Sequence, residues 1–187
     1  MVSYKWMGEW EMDERYPIGL FEYNGEISDE VLQTWISEIE DYPAKLEKAV
    51  SSLREEQLDT PYRKDGWTIR QVVHHVADSH MNAYIRTKLA LTEEKPIIKP
   101  YEEGIWAQLP DYSMPVHVSI QLLSSMHARW VHLFRALLQT DELEKELQHP
   151  ENGIQSIQML IGLYAWHGRH HLAHITNLCE KKGWKTE

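Results

Sequence analysis

Cysteine is nearly absent from this chain, because Cys179 is the only one among its 187 residues. A single thiol excludes an internal disulfide, and we interpret Cys179 as a small buried residue rather than a metal ligand. Long apolar runs are also lacking, since none approaches the roughly 20 residues that a membrane-spanning helix requires. Residues 1–10 show no signal-peptide pattern. We therefore expect a soluble protein of the cytoplasm.

Basic residues are fewer than acidic residues in this sequence. The sequence has 19 lysines and arginines against 29 aspartates and glutamates, which gives a net charge of −10. Nucleic acids and anionic membranes are bound through basic surfaces, so neither is expected as a partner. The length is that of one domain and is sufficient to bury a core.

Strand-like alternation is lacking as well, and helical periodicity takes its place. Apolar residues recur at three- and four-residue steps in four segments. We predict helices over residues 28–53, 68–91, 115–139 and 153–182. Four amphipathic helices with at least one long crossover predict an all-α four-helix bundle. The bundle domain is assigned to residues 28–187, and residues 1–27 are predicted to form an irregular N-terminal arm.

The predicted helices carry recognisable end signals. Thr68 and Gln71 fit a capping box at the start of the second helix, and Asn152 is the predicted N-cap of the fourth. Pro43 is expected to kink or divide the first helix, because proline lacks a backbone N–H. The predicted apolar face of the third helix consists of Val118, Leu122, Met126, Trp130, Leu133 and Leu137.

A long connection follows the second predicted helix. Residues 92–114 contain three prolines and one glycine, and ordered connections of this length often cover a functional site. Tyr101 and Trp106 are candidates to cover a pocket mouth. Whether the connection forms a lid stays open at this stage.

The 11 histidines are unevenly distributed, and four fall within eight residues of the fourth predicted helix. His167 and His171 are four residues apart, as are His170 and His174. On a helix such residues share a face, with Cβ atoms about 5–6 Å apart. Either pair can therefore bind one metal ion, as His-x-x-x-His pairs do in zinc peptidases. The second predicted helix carries another group, His74, His75 and His80.

Histidines on inward faces indicate a metal site. Burying an imidazole without a partner costs on the order of 2–7 kcal/mol, and neutral imidazole is the commonest metal ligand in proteins. Three such ligands leave a coordination position open, which is typical of catalytic sites. Zinc suits all-imidazole ligation, and nickel or another first-row ion would also fit. The apolar phase favours His167 and His171 as the pair, and it leaves His75 and His80 nearly equal as the third ligand.

Two segments, GWTIRQVVHHVADSHMN at residues 66–82 and YAWHGRHHLAHI at residues 164–175, closely resemble the YfiT proteins of the DinB/YfiT superfamily. The resemblance extends from about residue 16 to residue 184. It implies an up-and-down four-helix bundle, a homodimer and one divalent metal ion per subunit. The ligands that it implies are His75, His167 and His171. Other histidines of these segments are left without a role: His74, His80, His170 and His174.

The resemblance also implies a metal-dependent hydrolase, for which we expect a small-molecule substrate. The ligand chemistry favours zinc as the ion, with nickel as the alternative. An ion held by three histidines lowers the pKa of a bound water to about 7. Hydrolysis also needs a proton acceptor. Asp78 is available, but no catalytic residue is assigned, and the lack of a His-Glu-x-x-His pattern argues against a peptidase.

Two other functions remain open. One is a thiol S-transferase of the bacillithiol type, in which the ion would lower the pKa of a low-molecular-weight substrate thiol. The other is a metal-stabilised bundle without catalysis. Three arginines are interpreted as surface charges, with binding of an anionic substrate as the alternative: Arg70, Arg86 and Arg169. Trp67 and Trp166 are interpreted as packing residues. No role is assigned to His117, His127, His132 and His149.

Overall fold

The computed structural model describes residues 14–25 and 27–185. Four long helices dominate this part of the chain: α1 (Asp29–Val50), α3 (Ile69–Thr92), α5 (Val116–Leu137) and α6 (Ile157–Lys182). Their connections hold two one-turn helices, α2 (Glu55–Leu58) and α4 (Glu103–Trp106), and two 3-10 turns, Pro110–Ser113 and Asp141–Glu144. Strands β1 (Glu146–His149) and β2 (Gly153–Ser156) complete the list. The predicted four-helix bundle is confirmed, with a small sheet added to it.

The predicted N-terminal arm lies partly outside the described residues, which exclude residues 1–13 and residue 26. Residues 14–25 contain neither helix nor strand. They lie against α6, where the ring centroids of Tyr16 and His170 are 6.2 Å apart and those of Phe21 and Trp166 are 6.3 Å apart. This part of the arm therefore packs its aromatic residues on the bundle.

The helix ends follow local capping chemistry. At α3 the hydroxyl of Thr68 accepts the N–H of Gln71 at 3.1 Å, and the side-chain oxygen of Gln71 accepts the N–H of Thr68 at 3.0 Å. This reciprocal pair is the predicted capping box. At the other end of the chain α6 stops at Gly183, whose φ of +66° suits a residue without a Cβ.

Two predictions between residues 146 and 156 are wrong. Asn152 does not cap the fourth helix, because it lies in a turn and Ser156 is the cap, accepting the N–H of Met159 at 3.1 Å. The expected absence of strands also fails, since β1 and β2 pair antiparallel with Leu147 opposite Gln155. Strands of four residues carry almost no alternation signal. This hairpin instead packs on α3 and α6, which are tertiary contacts that local sequence does not encode.

Pro43 does not divide the first helix. It lies inside α1, which continues unbroken from Asp29 to Val50. Proline removes one backbone hydrogen bond, but α1 packs against both α5 and α6. Burial of Ile39 and Leu46 on either side of the proline outweighs the loss.

The predicted apolar face of the third helix is partly wrong. Val118 and Leu122 are 37% and 43% exposed, whereas Met126, Trp130 and Leu137 are buried as predicted. The buried face also includes Ile120, Leu123, His127, Val131 and Phe134. The predicted and the observed buried residues both have helical spacing in the sequence. Which set is buried depends on how α5 packs against its neighbouring helices.

The arrangement of the helices brings α3 beside α6. Both α1 and α3 contact α5 and α6, so the consecutive long helices α1 and α3 lie diagonally across the bundle. The helices α5 and α6 form the other diagonal. The connections over residues 51–68 and 138–156 therefore join diagonal helices, and residues 93–115 join neighbours. This order places the histidine-bearing faces of α3 and α6 next to each other.

The core consists of two apolar clusters. On α5, His127 follows Met126 of one cluster and precedes Trp130 of the other in sequence. On α3, His80 likewise comes between Ala77 of one cluster and Ala83 of the other in sequence. We call the connected set of rings at this level the histidine layer: His75, His80, His127, His167, His170, His171 and His174. Successive rings of the layer have centroids 4.4–5.5 Å apart. No helix in the described ranges is both long and apolar enough to span a membrane.

Candidate metal centre

Three histidines from two helices converge at one place in the histidine layer. His75 comes from α3, and His167 and His171 come from α6. One ring nitrogen of each lies within 4.8 Å of one nitrogen of each of the others. The ring centroids of His167 and His171 are 4.5 Å apart, as expected for an i, i+4 pair, and that of His75 is 4.9 Å from His171. The structure thus brings together the three ligands that the resemblance implies.

The donor set fits a divalent cation. Zinc–imidazole bonds of about 2.0–2.1 Å allow two ligand nitrogens to be at most about 4.2 Å apart. The three nitrogens lie within 4.8 Å of one another, which is close to that limit. His75 is buried, and its Nδ1 has no hydrogen-bond partner among the described residues. An unpaired buried nitrogen is costly, so the ring is suited to an exogenous partner.

Burial keeps the three rings neutral. Desolvation, followed by the nearby His170, lowers the pKa of His75 to about 4. The pKa values of His167 and His171 lie well below the ordinary value because burial and neighbouring histidines disfavour the charged form. A neutral imidazole has a lone pair on one nitrogen, which is the form that binds metal. The site is therefore ready for an ion at neutral pH.

A second histidine group overlaps the first. His170, His171 and His174 also present nitrogens within 4.8 Å of one another. The Nδ1 atoms of His171 and His174 are 3.4 Å apart and share a proton in a hydrogen bond. The Nδ1 of His170 has no partner among the described residues, and its ring stacks on Trp166 at 4.6 Å. Because His171 belongs to both groups, the two are not independent sites.

The structure separates the other upstream histidines from the ligand group. His80 is fully buried, and its Nε2 lies 3.1 Å from the Nδ1 of His167. It therefore lies behind His167 and outside the converging group. His74 points elsewhere, since its two ring nitrogens contact the hydroxyl of Ser119 at 2.7 Å and the carbonyl of Met114 at 3.0 Å. The converging group of three thus includes His75 and does not include His80.

Sequence reasoning missed His127. It is 1% exposed, its Nε2 lies 2.9 Å from the Nδ1 of His80, and its Nδ1 lies 2.6 Å from the carbonyl oxygen of Ile39. The signal was its spacing, because His127 lies four residues after Leu123 and three before Trp130, on the true buried face. His127 was not recognised as inward-facing because the buried face of this helix was predicted incorrectly.

A cavity of about 440 Å³ opens above the three converging histidines. Four aromatic side chains form part of its wall: Trp67, Tyr101, Tyr164 and Trp166. The sequence indicated Trp67 and Trp166 as packing residues, and both border this cavity. The connection between α3 and α5 contributes Tyr101 to the wall. Trp106 does not line the cavity but packs on Tyr101 with ring centroids 4.5 Å apart.

The unpredicted hairpin supplies another part of the wall. His149, to which no role was assigned, lies there with Glu151 and Asn152 of the hairpin turn. Backbone hydrogen bonds join Ile98 and Pro96 to Gln148 at 3.0 and 2.9 Å. The hairpin therefore holds the segment that leads to Tyr101, so both walls are fixed to each other.

The three arginines differ in environment. Arg70 is 7% exposed and paired with Glu55 and Asp59, the latter at 2.7 Å, so it is not a solvated surface charge. Arg169 pairs with Glu38. Arg86 lines the cavity, and its guanidinium donates to the backbone oxygen of Lys99 at 3.2 Å. Of the three, Arg86 is the one placed to meet a bound molecule.

Two further side chains bear on the chemistry. The carboxylate of Asp78 accepts the hydroxyl of Tyr112 at 2.7 Å and does not line the cavity. The carboxylates in the cavity wall belong instead to Glu103 and Glu151. Cys179 is a buried free thiol, as the sequence indicates, and burial raises its pKa.

A helical bundle with a cluster of neutral histidines at the floor of a cavity defines a class of metal-binding bundle proteins. The sequence profile of the DinB superfamily matches residues 38–175. The solved structure of YfiT from Bacillus subtilis superposes with a TM-score of 0.89 at 47% identity, covering 92% of this chain and 99% of that one. The chain therefore belongs to the YfiT family of the DinB superfamily.

Similar proteins are described in consistent terms. YfiT is described as "a probable metal-dependent hydrolase with an unusual four-helix bundle topology". A relative from Oceanobacillus iheyensis, 57% identical over 92% of this chain and 100% of its own, is named "Putative metal-dependent hydrolase". A relative from Bacillus cereus carries the same description at 58% identity, with 92% and 99% of the two chains covered. These descriptions point to a metal-dependent function.

Proposed function

We propose that this protein is a metal-dependent hydrolase that binds one divalent cation through His75, His167 and His171, together with an activated water. Zinc is the first choice of ion, because all-imidazole ligation suits it, and nickel is the alternative. The observation that carries the proposal is the convergence of three neutral imidazoles from α3 and α6 at the floor of one cavity. The names given to similar proteins support the same reaction class.

Different residues would bind the ion, form its apolar surroundings and accept protons. His75, His167 and His171 would hold the ion, and three ligands leave coordination positions facing the cavity. When bound, the cation supplies Lewis acidity and lowers the pKa of a water or thiol that reaches it. The four aromatic side chains of the wall surround the floor with apolar surface, which strengthens electrostatic interactions there. Glu103 and Glu151 are the proton acceptors that the cavity offers.

Thiol S-transfer is the second candidate. A metal-activated thiol needs no base from the protein, which agrees with the position of Asp78, bonded to Tyr112 outside the cavity. Arg86 in the wall can bind an anionic group of a small thiol. The substrate in either case is a small molecule, which a cavity of about 440 Å³ can enclose. We further propose that the chain acts as a homodimer, as its family resemblance implies.

Metal analysis followed by two assays tests the proposal. We expect the purified protein to bind one zinc or nickel ion per chain, and His171→Ala to reduce the affinity at least 100-fold because it removes a ligand. Ester and amide substrates should turn over without thiol, with a rate that rises near pH 7. His117→Ala, which changes an exposed histidine, is the control and should match the wild type.

The outcomes separate the candidates. Turnover that requires an added thiol and consumes an electrophile would favour S-transfer over hydrolysis. Full metal binding with no turnover in either assay would leave a structural role for the ion. Failure of the wild type to bind zinc or nickel would contradict both reactions.

A further inference from the structure

We propose that His80 and His174 are positioning residues, whose hydrogen bonds fix the Nδ1–H tautomer of His167 and His171 and so turn the Nε2 lone pairs of both rings toward the ion. This inference rests on the proposed metal site. It concerns the rings behind the ligands, to which the sequence assigned no role.

The first hydrogen-bond chain starts at a backbone carbonyl. The oxygen of Ile39 lies 2.6 Å from Nδ1 of His127, and a carbonyl can only accept, so this Nδ1 carries the hydrogen. A neutral imidazole has one N–H, which leaves Nε2 of His127 as an acceptor. The Nδ1 of His80 lies 2.9 Å from it and must donate. The direction of every later bond in the chain follows from this anchor.

The same logic reaches the metal ligand. Once Nδ1 of His80 donates, its Nε2 is an acceptor, and the Nδ1 of His167 at 3.1 Å must donate to it. The remaining nitrogen of His167, Nε2, then has a lone pair and no hydrogen. His80 and His127 are buried without a carboxylate at hydrogen-bond distance in the described ranges, which keeps both rings neutral, as this argument requires.

A second chain ends on the other α6 ligand. The backbone oxygen of Arg15 lies 3.3 Å from Nε2 of His174, so this Nε2 carries the hydrogen and Nδ1 is the acceptor. The Nδ1 of His171 at 3.4 Å therefore donates to His174. His171 is left with its Nε2 lone pair. Tyr62 stacks on His174 with ring centroids 4.1 Å apart and holds that ring in place.

The two chains share a design. Each leads from a backbone carbonyl through histidine to the Nδ1 of a ligand, and the hydrogen bond at one ring nitrogen decides which nitrogen binds metal. Reversal of either chain would point an N–H at the ion and remove a ligand. Because the supporting groups are neutral imidazoles and not carboxylates, they set the tautomer without reducing the positive charge that the ion presents to a substrate.

The second histidine group provides the competing explanation. An ion held by His170, His171 and His174 would need a free nitrogen on His174, but its Nδ1 is bonded to Nδ1 of His171 and its Nε2 to the carbonyl oxygen of Arg15. The proposal therefore predicts one ion per chain. If the wild type binds two ions tightly and His170→Ala loses the second, the proposed series of hydrogen bonds through His174 is wrong.

The first test reads the tautomers directly in metal-free protein. With 15N-labelled histidine, long-range 1H–15N spectra distinguish protonation at Nδ1 from protonation at Nε2. We expect Nδ1–H for His80, His127, His167 and His171, and Nε2–H for His174. Nε2–H at His167 and His171 would overturn the proposal. Because no ion is present, this result does not depend on the proposed metal site.

The second test measures affinity for Zn²⁺ and for Ni²⁺ by competition with a chromophoric chelator. His80→Phe and His174→Phe keep a ring but remove the acceptor, and each should weaken binding 10–100-fold. His80→Gln restores an acceptor oxygen for Nδ1 of His167 and should recover most of the affinity. A merely structural role would not give this rescue.

A matched control distinguishes position from general packing. His74→Phe also removes a buried histidine with two hydrogen bonds on α3, but these lead to Ser119 and Met114. It should lower the melting temperature without changing the affinity for either ion. Equal affinity in wild type and the folded His80→Phe variant would overturn the inference. If the wild type shows the expected tautomers but binds neither ion, the metal site is wrong and the tautomer assignment stands.

Discussion

Histidine takes three different parts in this protein, and the environment of each ring decides which. His75 has a buried nitrogen without a partner and faces the cavity. His80 has both nitrogens bonded to other histidines. His117 is exposed on α5. The same residue type therefore acts as a candidate ligand, as a support for a ligand and as a surface group.

Acid should destabilise the metal-free protein through these buried rings. Burial lowers the pKa of His127 to about 4, from an ordinary value near 6.5. The pKa values of His75 and His174 are lowered to about 4 by burial and then by the proximity of His170. Between pH 6.5 and 4 the unfolded chain binds more protons than the folded one, so the free energy of unfolding falls as the pH falls.

The size of this effect is measurable. Each such histidine removes about 1.4 kcal/mol per pH unit within the window. We expect the urea midpoint of metal-free protein to fall steeply between pH 6.5 and 5 and to be nearly constant from pH 7 to 8. His132→Ala, at an exposed position, should leave this profile unchanged. A midpoint that does not change from pH 7 to pH 5 would contradict the argument.

At the scale of helices, two glycines in α6 allow α1 to approach closely. A Cβ built on Gly168 would lie 2.9 Å from the ring of Tyr42, and one on Gly162 would lie 2.7 Å from the ring of Trp35. Tyr42 is 4% exposed and stacks on His80 with ring centroids 5.7 Å apart, so it has little room to move. Gly168 therefore sets the distance between α1 and the histidine layer.

Gly168→Ala should destabilise the protein. Alanine gains up to about 1 kcal/mol in helix propensity, but overpacking of an enclosed ring costs about 1–3 kcal/mol. We expect a net loss of about 1 kcal/mol in the free energy of unfolding, measured by urea titration. Gly104→Ala is the control, because a Cβ there meets nothing within 4 Å, and it should be neutral or slightly stabilising. Equal stability of the two variants would show that Tyr42 can shift.

The elements also show where sequence reasoning works. The capping box of Thr68 and Gln71 and the pairing of His167 with His171 depend on residues three or four apart, and both appear as predicted. Periodicity alone could not choose between His75 and His80, since both face inward on α3. That choice depends on how α3 meets α5 and α6, which is a tertiary property.

The errors have the same origin. Val118 and Leu122 were assigned to the core because their spacing is helical, but α5 turns another equally periodic face inward. The hairpin was missed because its four-residue strands are stabilised by packing on the bundle and by the bridge between Ile97 and Gln148. Residues 1–13 carry part of the predicted arm, and that prediction lies outside the described part of the chain.

At the scale of the whole molecule, the proposed ion would join α3 to α6. A ligand that binds only the folded state stabilises it by RT ln(1 + [L]/Kd), which is about 2.7 kcal/mol at 100 times Kd. For a chain of this size, that corresponds to an increase of roughly 5–10 °C in melting temperature. Calorimetry with and without zinc measures the shift. It should vanish in His75→Ala, and a shift that persists there would place the ion elsewhere.

The histidine layer also constrains how such a protein can evolve. Its rings are hydrogen-bonded to one another, so changing one leaves a neighbour's nitrogen stranded, whereas replacing interacting partners together by apolar groups can be almost neutral. Descendants that abandon the ion should therefore discard the layer as a block. Relatives in which His80 alone is replaced should be rare, unless the replacement is glutamine.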